Sequence, residues 1–269
     1  MLKKRLIFTL LYHQGQFMLS RNFRLQKVSD LTWLQTNYDF SRISFSIDEL
    51  IVLDVTRGER DIRAFCETLK QLTEGCFVPI AAGGGVRTID HARALLHSGA
   101  DKVVVNTPLY ENNNFISELA AEFGQQCLVA SIDIRRTADG GYQAWTEAGS
   151  KCMEGSAAYW IEQVTNNAVG EIYLNSIDRD GTGQGYDIHL LDHLPREMPK
   201  PVILAGGAGN STHLAEGLAD PRVDAVATAH LFNFVGDGLK RARQLLIADG
   251  IDLPIWDIRL LENLKTRNH

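Results

Sequence analysis

Eight short apolar runs, with helical patterns between them, leave few folds open to this chain. The runs are RLIFTLL from Arg5, ELIVLD from Glu49, VPIAA from Val78, DKVVVN from Asp101, CLVASID from Cys127, GEIYLNS from Gly170, PVILAGG from Pro201 and VDAVATA from Val223. Amphipathic stretches such as TIDHARALLHSGA and NFISELAAEFGQ lie between them, and in the first of these Ile89, Ala92, Leu95 and Leu96 share one helical face. Strands alternating with helices imply βαβ units and a parallel sheet. Eight such units in 269 residues predict an α/β fold, a single (β/α)8 TIM barrel, with a doubly wound open sheet as the alternative.

An internal repeat favours the barrel. IAAGGGVRT, a helix and ADKVVVNT span residues 80–107, and ILAGGAGNS, a helix and VDAVATAH span residues 203–230. ELIVLDVTR from Glu49 pairs with EIYLNSIDR from Glu171, and RLIFTLL from Arg5 pairs with CLVASID from Cys127. In that last pairing Thr9 meets Ser131 and Leu11 meets Asp133. The chain therefore reads as two similar half-barrels over residues 1–250, followed by a C-terminal extension over 251–269.

Charge narrows the partners. A formal net charge of −6 and a pI of about 5.8 argue against nucleic acid, whose phosphates need clustered Lys and Arg. No apolar run approaches the roughly 18 residues of a membrane helix, and the N-terminal apolar stretch lacks a small-residue cleavage site, so it reads as a first strand. Four cysteines with no CxxC pair fit reduced thiols and a cytoplasmic location. No metal site is expected: His189 and His193, in DIHLLDHLP, read as a helix-surface coincidence. No cofactor is called for.

The strands' C-terminal ends build the active face of such a barrel. Two glycine-rich segments end strands there, Gly83-Gly84-Gly85 and Gly206-Gly207-Ala208-Gly209. Glycines let backbone approach an anion closely, and a following helix offers free amides. One such loop reads as a tight turn. Two at repeat-related positions point to two phosphate sites, with Asn106 and Thr107 adding donors to the first and Ala229 and His230 standing at the equivalent place in the second. Asp54, Asp133, Asp178 and Asp180 gather at the same face. Asp54 and Asp178 read equally as cap structure or function, whereas Asp133 directly follows a buried strand and is the candidate general acid or base. The repeat would set its partner at position 11, which is leucine. At the opposite end Arg5, Glu49, Lys102 and Glu171 each begin a strand, and by pattern alone they are ordinary surface ends.

LIVLDVTR, IAAGGGVRTIDHARALLHSGADKVVVNT, NSIDRDGTGQGYD and ILAGGAGN resemble the cyclase subunit of imidazole glycerol phosphate synthase, over nearly the whole chain to about residue 250. The resemblance implies a (β/α)8 barrel that binds a phosphate-bearing small molecule, docks a glutaminase at the strand N-terminal face and passes ammonia through its core. It implies one phosphate site at Gly85, Asn106 and Thr107, and a second at Asp180, Gly181, Gly207, Ala229 and His230, where the family usually has serine rather than histidine. It matches Asp133 to one of two catalytic aspartates, Arg5, Glu49, Lys102 and Glu171 to the charged ammonia gate, and Asp101 to the glutaminase interface.

Two departures carry weight. Leu11 replaces the other catalytic aspartate, and Leu19, in QFMLSRNF, stands where the family has a lysine. Leucine neither accepts nor donates a proton, so two-aspartate cyclisation cannot run unchanged. In this the chain resembles divergent relatives of surface-polysaccharide systems, in which glutaminase, barrel and sugar amidotransferase aminate a nucleotide-activated sugar. The alternatives are a working histidine-pathway cyclase (a lyase) with a substituted acid/base group, and a phosphosugar isomerase of the same superfamily. In the tail, Trp256, Ile258 and Leu261 read either as docking residues or as a helix packed on the barrel.

Overall fold

The computed structural model describes residues 3–37, 45–230 and 238–255. Eight of its strands are parallel: β1 (Arg5–His13), β4 (Glu49–Asp54), β5 (Ile80–Gly83), β6 (Lys102–Val105), β7 (Leu128–Arg136), β10 (Glu171–Ser176), β11 (Val202–Ala205) and β12 (Ala225–Thr228). Each pairs with the next, and β1 pairs with β12, so the sheet closes on itself as a (β/α)8 barrel. An open doubly wound sheet would leave two edges, and this ring leaves none.

Alternation along each strand sorts residues to two cores. Ile7, Ile51, Ala81, Val104, Val129, Tyr173, Ile203 and Ala225 fill the bore. Their neighbours, among them Leu6, Phe8, Leu50, Val52, Leu128 and Ile172, face outward and pack beneath the helices. The helices begin where the sequence supplies caps. Asp61 accepts from the amides of Arg63 and Ala64 ahead of the helix Ile62–Gly75, and Thr88, Asn112, Ser156 and Asn210 do the same for Ile89–His97, Asn113–Phe123, Ala157–Thr165 and Ser211–Ala219. His189 and His193 lie on a short 3-10 helix, Ile188–His193. His189 faces Asp192 at 3.7 Å and His193 stacks edge-on against Tyr142, and no metal-binding cluster occurs among the described residues. No helix among those residues is long and apolar enough to cross a membrane.

Two excursions escaped the periodicity reading. β2 (Gln16–Arg21) and β3 (Arg24–Ser29) form an antiparallel hairpin after β1, and β8 (Tyr142–Thr146) and β9 (Lys151–Cys152) form another after β7. They occupy equivalent places in the two halves. β1 and β7 each run nine residues and turn back on themselves, with Leu11 opposite Met18 and Asp133 opposite Trp145. The repeat in the sequence is thus a repeat in space.

Residues 251–255 are tied to the barrel's N-terminal end. The Lys4 amide donates to the Asp252 carbonyl at 2.9 Å and Leu253 is buried. Arg243, on the helix Gly238–Ala248, makes a buried bidentate pair with Asp48 at 2.9 and 2.8 Å and also donates to the Pro254 carbonyl. Trp256, Ile258 and Leu261 lie outside the described residues.

Candidate functional site

A cavity of about 880 Å³ opens at the C-terminal ends of the strands. Leu11, Gly85, Asn106, Thr107, Asp133, Asp180, Gly181, Gly207, Ala229 and His230 all line it. The structure thus brings the expected acid, the leucine opposite it in the repeat, and both glycine loops to one chamber.

Asp133 is buried and held by two amides. Asn175 Nδ2 donates to its Oδ1 at 3.0 Å and Asn106 Nδ2 to its Oδ2 at 3.2 Å. Burial pushes its carboxyl up to about 7, against the Asn175 hydrogen bond, and the nearby Asp180 charge adds to the rise. A carboxyl poised there can give or take a proton near neutrality. Asn175 sits beside Asp133 in register on the neighbouring strand. The corresponding pair in the first half is Leu11 beside Leu53. One half of the chamber therefore carries an acid supported by an amide, and the other carries two leucines. Tyr173 and Thr9 lie deeper and also line the chamber. Burial holds the Tyr173 phenol protonated far above its ordinary range, so it offers a donor rather than a base.

The first glycine loop is shaped by positive φ at Gly84 (105°) and Gly85 (69°). A Cβ on Gly84 would stand 2.1 Å from the Asp54 carbonyl oxygen, so only glycine lets this loop lie against the end of β4. Asp54 itself is buried and accepts from the Thr56 amide at 2.9 Å, which is a loop-shaping role. Asp178 does likewise for the Arg136 amide at 2.6 Å. Thr107 is buried beside Asn106, and its hydroxyl accepts from the Glu147 amide at 3.4 Å.

The second loop carries Gly206 (87°) and Gly207 (113°), with the Gly185 amide donating to the Gly207 carbonyl at 2.9 Å. Ala229 and His230 follow β12 at its rim, and the His230 amide lies 3.5 Å from the Thr228 hydroxyl. Asp180 is engaged by the β2–β3 hairpin. Its carboxylate accepts from the Ser20 hydroxyl and from the Phe23 amide at 2.9 Å, and its carbonyl accepts from the Asn22 amide at 2.9 Å. Gly181 lies so close under Ser20 that a Cβ would be 1.7 Å from the Ser20 carbonyl oxygen. The hairpin is thereby latched across the chamber. Arg57 donates to the Phe23 carbonyl at 2.7 Å from the opposite side. Sequence reasoning missed Ser20, Phe23, Arg57, Arg60 and Asn175. The run VTRGERD after β4 was the available signal for the two arginines.

At the other end of the bore Arg5, Glu49, Lys102 and Glu171 make a closed ring of ion pairs. Arg5 meets Glu49 at 2.9 Å and Glu171 at 3.2 Å, and Lys102 meets Glu49 at 3.0 Å and Glu171 at 2.9 Å. The charges alternate, so each cation faces two carboxylates and each carboxylate two cations. Burial raises the Glu49 carboxyl against the pull of Lys102 and Arg5. These strand starts are an ordered plug across the barrel, not loose surface ends. Asp101, next to it, accepts from the Ile80 amide at 2.8 Å.

Comparison with known proteins agrees with this architecture. A family model described as "Histidine biosynthesis protein" matches residues 37–236. "Putative imidazole glycerol phosphate synthase subunit hisF2" of Parasynechococcus marenigrum (strain WH8102) is 44% identical over 270 residues, covering all of both chains. By both comparisons the chain belongs to the histidine biosynthesis protein family, among barrels of the imidazole glycerol phosphate synthase cyclase-subunit type.

Proposed function

We propose that this barrel is the ammonia-conducting subunit of a glutamine amidotransferase system, serving amination of a nucleotide-activated sugar in surface-polysaccharide synthesis. A glutaminase subunit docks at the strand N-terminal face, beside Asp101, and a sugar amidotransferase takes up the ammonia. One observation carries the reading: the two ends of a single bore differ. The ring of Arg5, Glu49, Lys102 and Glu171 is complete, while the acid pair is reduced to Asp133 facing Leu11. Ammonia needs a gated apolar passage to stay un-ionised and away from water, and Ile7, Ile51, Val104 and Val129 line the bore with aliphatic surface. Two-acid cyclisation needs a donor and an acceptor on opposite sides of the substrate, and Leu11 supplies neither.

In this reading the chamber still holds phosphate. Gly85, Asn106 and Thr107 form one anchor, and Gly181, Gly207 and the segment at Ala229 and His230 form the other. Asp180 acts through the hairpin that it latches.

The second reading is an active cyclase of histidine biosynthesis. The carboxyl of Asp133, pushed up to about 7, favours it, because one group near neutrality can serve as acid and then as base.

Mixing the protein with the glutaminase subunit of an imidazole glycerol phosphate synthase tests the docking role. The expected result is a complex on size-exclusion chromatography and several-fold faster glutamine hydrolysis, both reduced by Asp101→Lys. No complex and unchanged hydrolysis would contradict it.

A further inference from the structure

Five arginines line the chamber: Arg21, Arg24, Arg57, Arg60 and Arg87. Arg60 stands apart by where its side chain lies. It covers Gly85 so closely that a Cβ there would come 2.6 Å from Arg60 Cδ, 2.9 Å from Nε and 3.0 Å from Nη1. A Cβ there would have to displace this flexible side chain, and it is the φ of 69° that favours glycine at position 85. Among the described residues, the acid paired with Arg60 is Asp54, at 3.8 Å from Nε. That distance is beyond a hydrogen bond, and the other oxygen of Asp54 is taken by the Thr56 amide. The Arg60 side chain is about one-third exposed, at 32%, it lines the chamber, and its donors make no hydrogen bond to protein acceptors among the described residues. Arg57, three residues earlier in the same loop, uses Nη2 on the Phe23 carbonyl of the hairpin and also lines the chamber. On the hairpin itself, Leu19 reaches the chamber with an apolar side chain.

We propose that Arg60, assisted by Arg57, is the cationic half of the first anion site. The loop after β4 supplies the charge that the hairpin lacks at Leu19, and the ligand group is a phosphate dianion seated between the Gly84-Gly85 amides and the Arg60 guanidinium. The inference rests on the phosphate-binding part of the reading above and adds to it the residue that selects for charge. A guanidinium presents a planar fork of donors matched to two phosphate oxygens, and backbone amides at positive-φ glycines present more donors to the remaining ones. Placing the cation on a short loop rather than on the hairpin has a consequence. The first site is complete whether or not the hairpin is latched, and Arg57 links its occupancy to the Phe23 end of that latch.

The test is titration with inorganic phosphate, at ionic strength held constant with chloride, followed at the Gly84 and Gly85 backbone amide resonances. In the unaltered protein these resonances are expected to shift and saturate. Arg60→Gln should weaken the midpoint about tenfold or more, the scale of one charge-assisted hydrogen bond. Arg60→Lys should recover part of it. Leu19→Lys placed in the Arg60→Gln background should recover more, because it returns a cation from the other side. Far-ultraviolet circular dichroism establishes that each variant is folded. An unchanged midpoint in Arg60→Gln would overturn the role of Arg60 and leave the phosphate site standing. Gly84 and Gly85 resonances in the unaltered protein that ignore phosphate would overturn both.

Discussion

Asp133 is a buried acid in the wall of the chamber. Its carboxyl is buried against two amide donors and stays partly protonated at neutral pH. An aspartate in the unfolded chain titrates near about 3.9. Between that value and about 7 the folded protein keeps a proton that the unfolded chain has released. The stability contributed by the neutral carboxyl is therefore full below about pH 4 and is lost as pH rises through about 7, by at most about 4 kcal/mol. Asp133→Asn removes this titration. Urea denaturation should show the variant losing less stability than the parent between pH 4.5 and pH 8, and parallel profiles would contradict the burial argument. The position of Asp133 at the chamber was readable from sequence, because it closes the apolar run CLVASID; the strand itself runs on to Arg136. The support of Asp133 was not. Asn175 looks like any polar residue near a strand end until the register of β10 on β7 sets it beside Asp133. Arg60 was hidden for the same reason, since nothing local says that its side chain folds back over Gly85.

At the scale of elements, the hairpin β2–β3 forms one wall of the chamber. Its turn has positive φ at both Asn22 (51°) and Phe23 (63°), a conformation natural to asparagine and costly for phenylalanine. Phe23 is held there from both sides, by the Asp180 carboxylate on its amide and by Arg57 on its carbonyl. Contacts from two loops thus hold a strained residue in place. Gly181→Ala would drive a methyl into the Ser20 carbonyl and also place alanine at a φ of 66°. The expected cost is about 2 kcal/mol, with faster proteolysis between residues 14 and 29 while the barrel remains folded. Equal cleavage rates in parent and variant would mean that the latch is not closed in solution. The barrel strands and the helices in TIDHARALLHSGA and NFISELAAEFGQ were legible from periodicity, because that pattern is local. Both hairpins escaped, because their strands are short, partly polar and paired only with what precedes them. The turn signals were present in HQG, RNF and ADGG, but such signals mark a turn without saying that the flanking residues extend.

At the scale of the whole molecule, the two ends of the barrel carry different sets of side chains. The N-terminal end is closed by a ring of alternating charge and by the Asp48–Arg243 pair, which fastens the last described helix across the start of β4. Both partners of that pair are nearly fully buried, so removing Arg243 breaks a buried bidentate ion pair. Arg243→Met should cost about 3 kcal/mol, and Glu49→Ala in the ring should cost a comparable amount, each read as a fall in the urea midpoint. Surface pairs such as Arg93 with Glu122 should cost well under 1 kcal/mol when broken. The four charges of the ring could not be read as a ring from pattern alone. Their strands are far apart in sequence, and only barrel closure brings Arg5 within reach of both Glu49 and Glu171. The C-terminal end keeps the glycine loops and one acid but has leucines where the repeat would set the other.

A cyclase assay separates a conduit with one acid from a working cyclase. The unaltered protein and a Leu11→Asp, Leu19→Lys double variant would each be given the ribonucleotide intermediate of histidine biosynthesis with excess ammonium salt. The account predicts no turnover by the unaltered, folded protein and measurable turnover by the double variant. Turnover by the unaltered protein would contradict the account and make Asp133, with some other group, a sufficient acid and base.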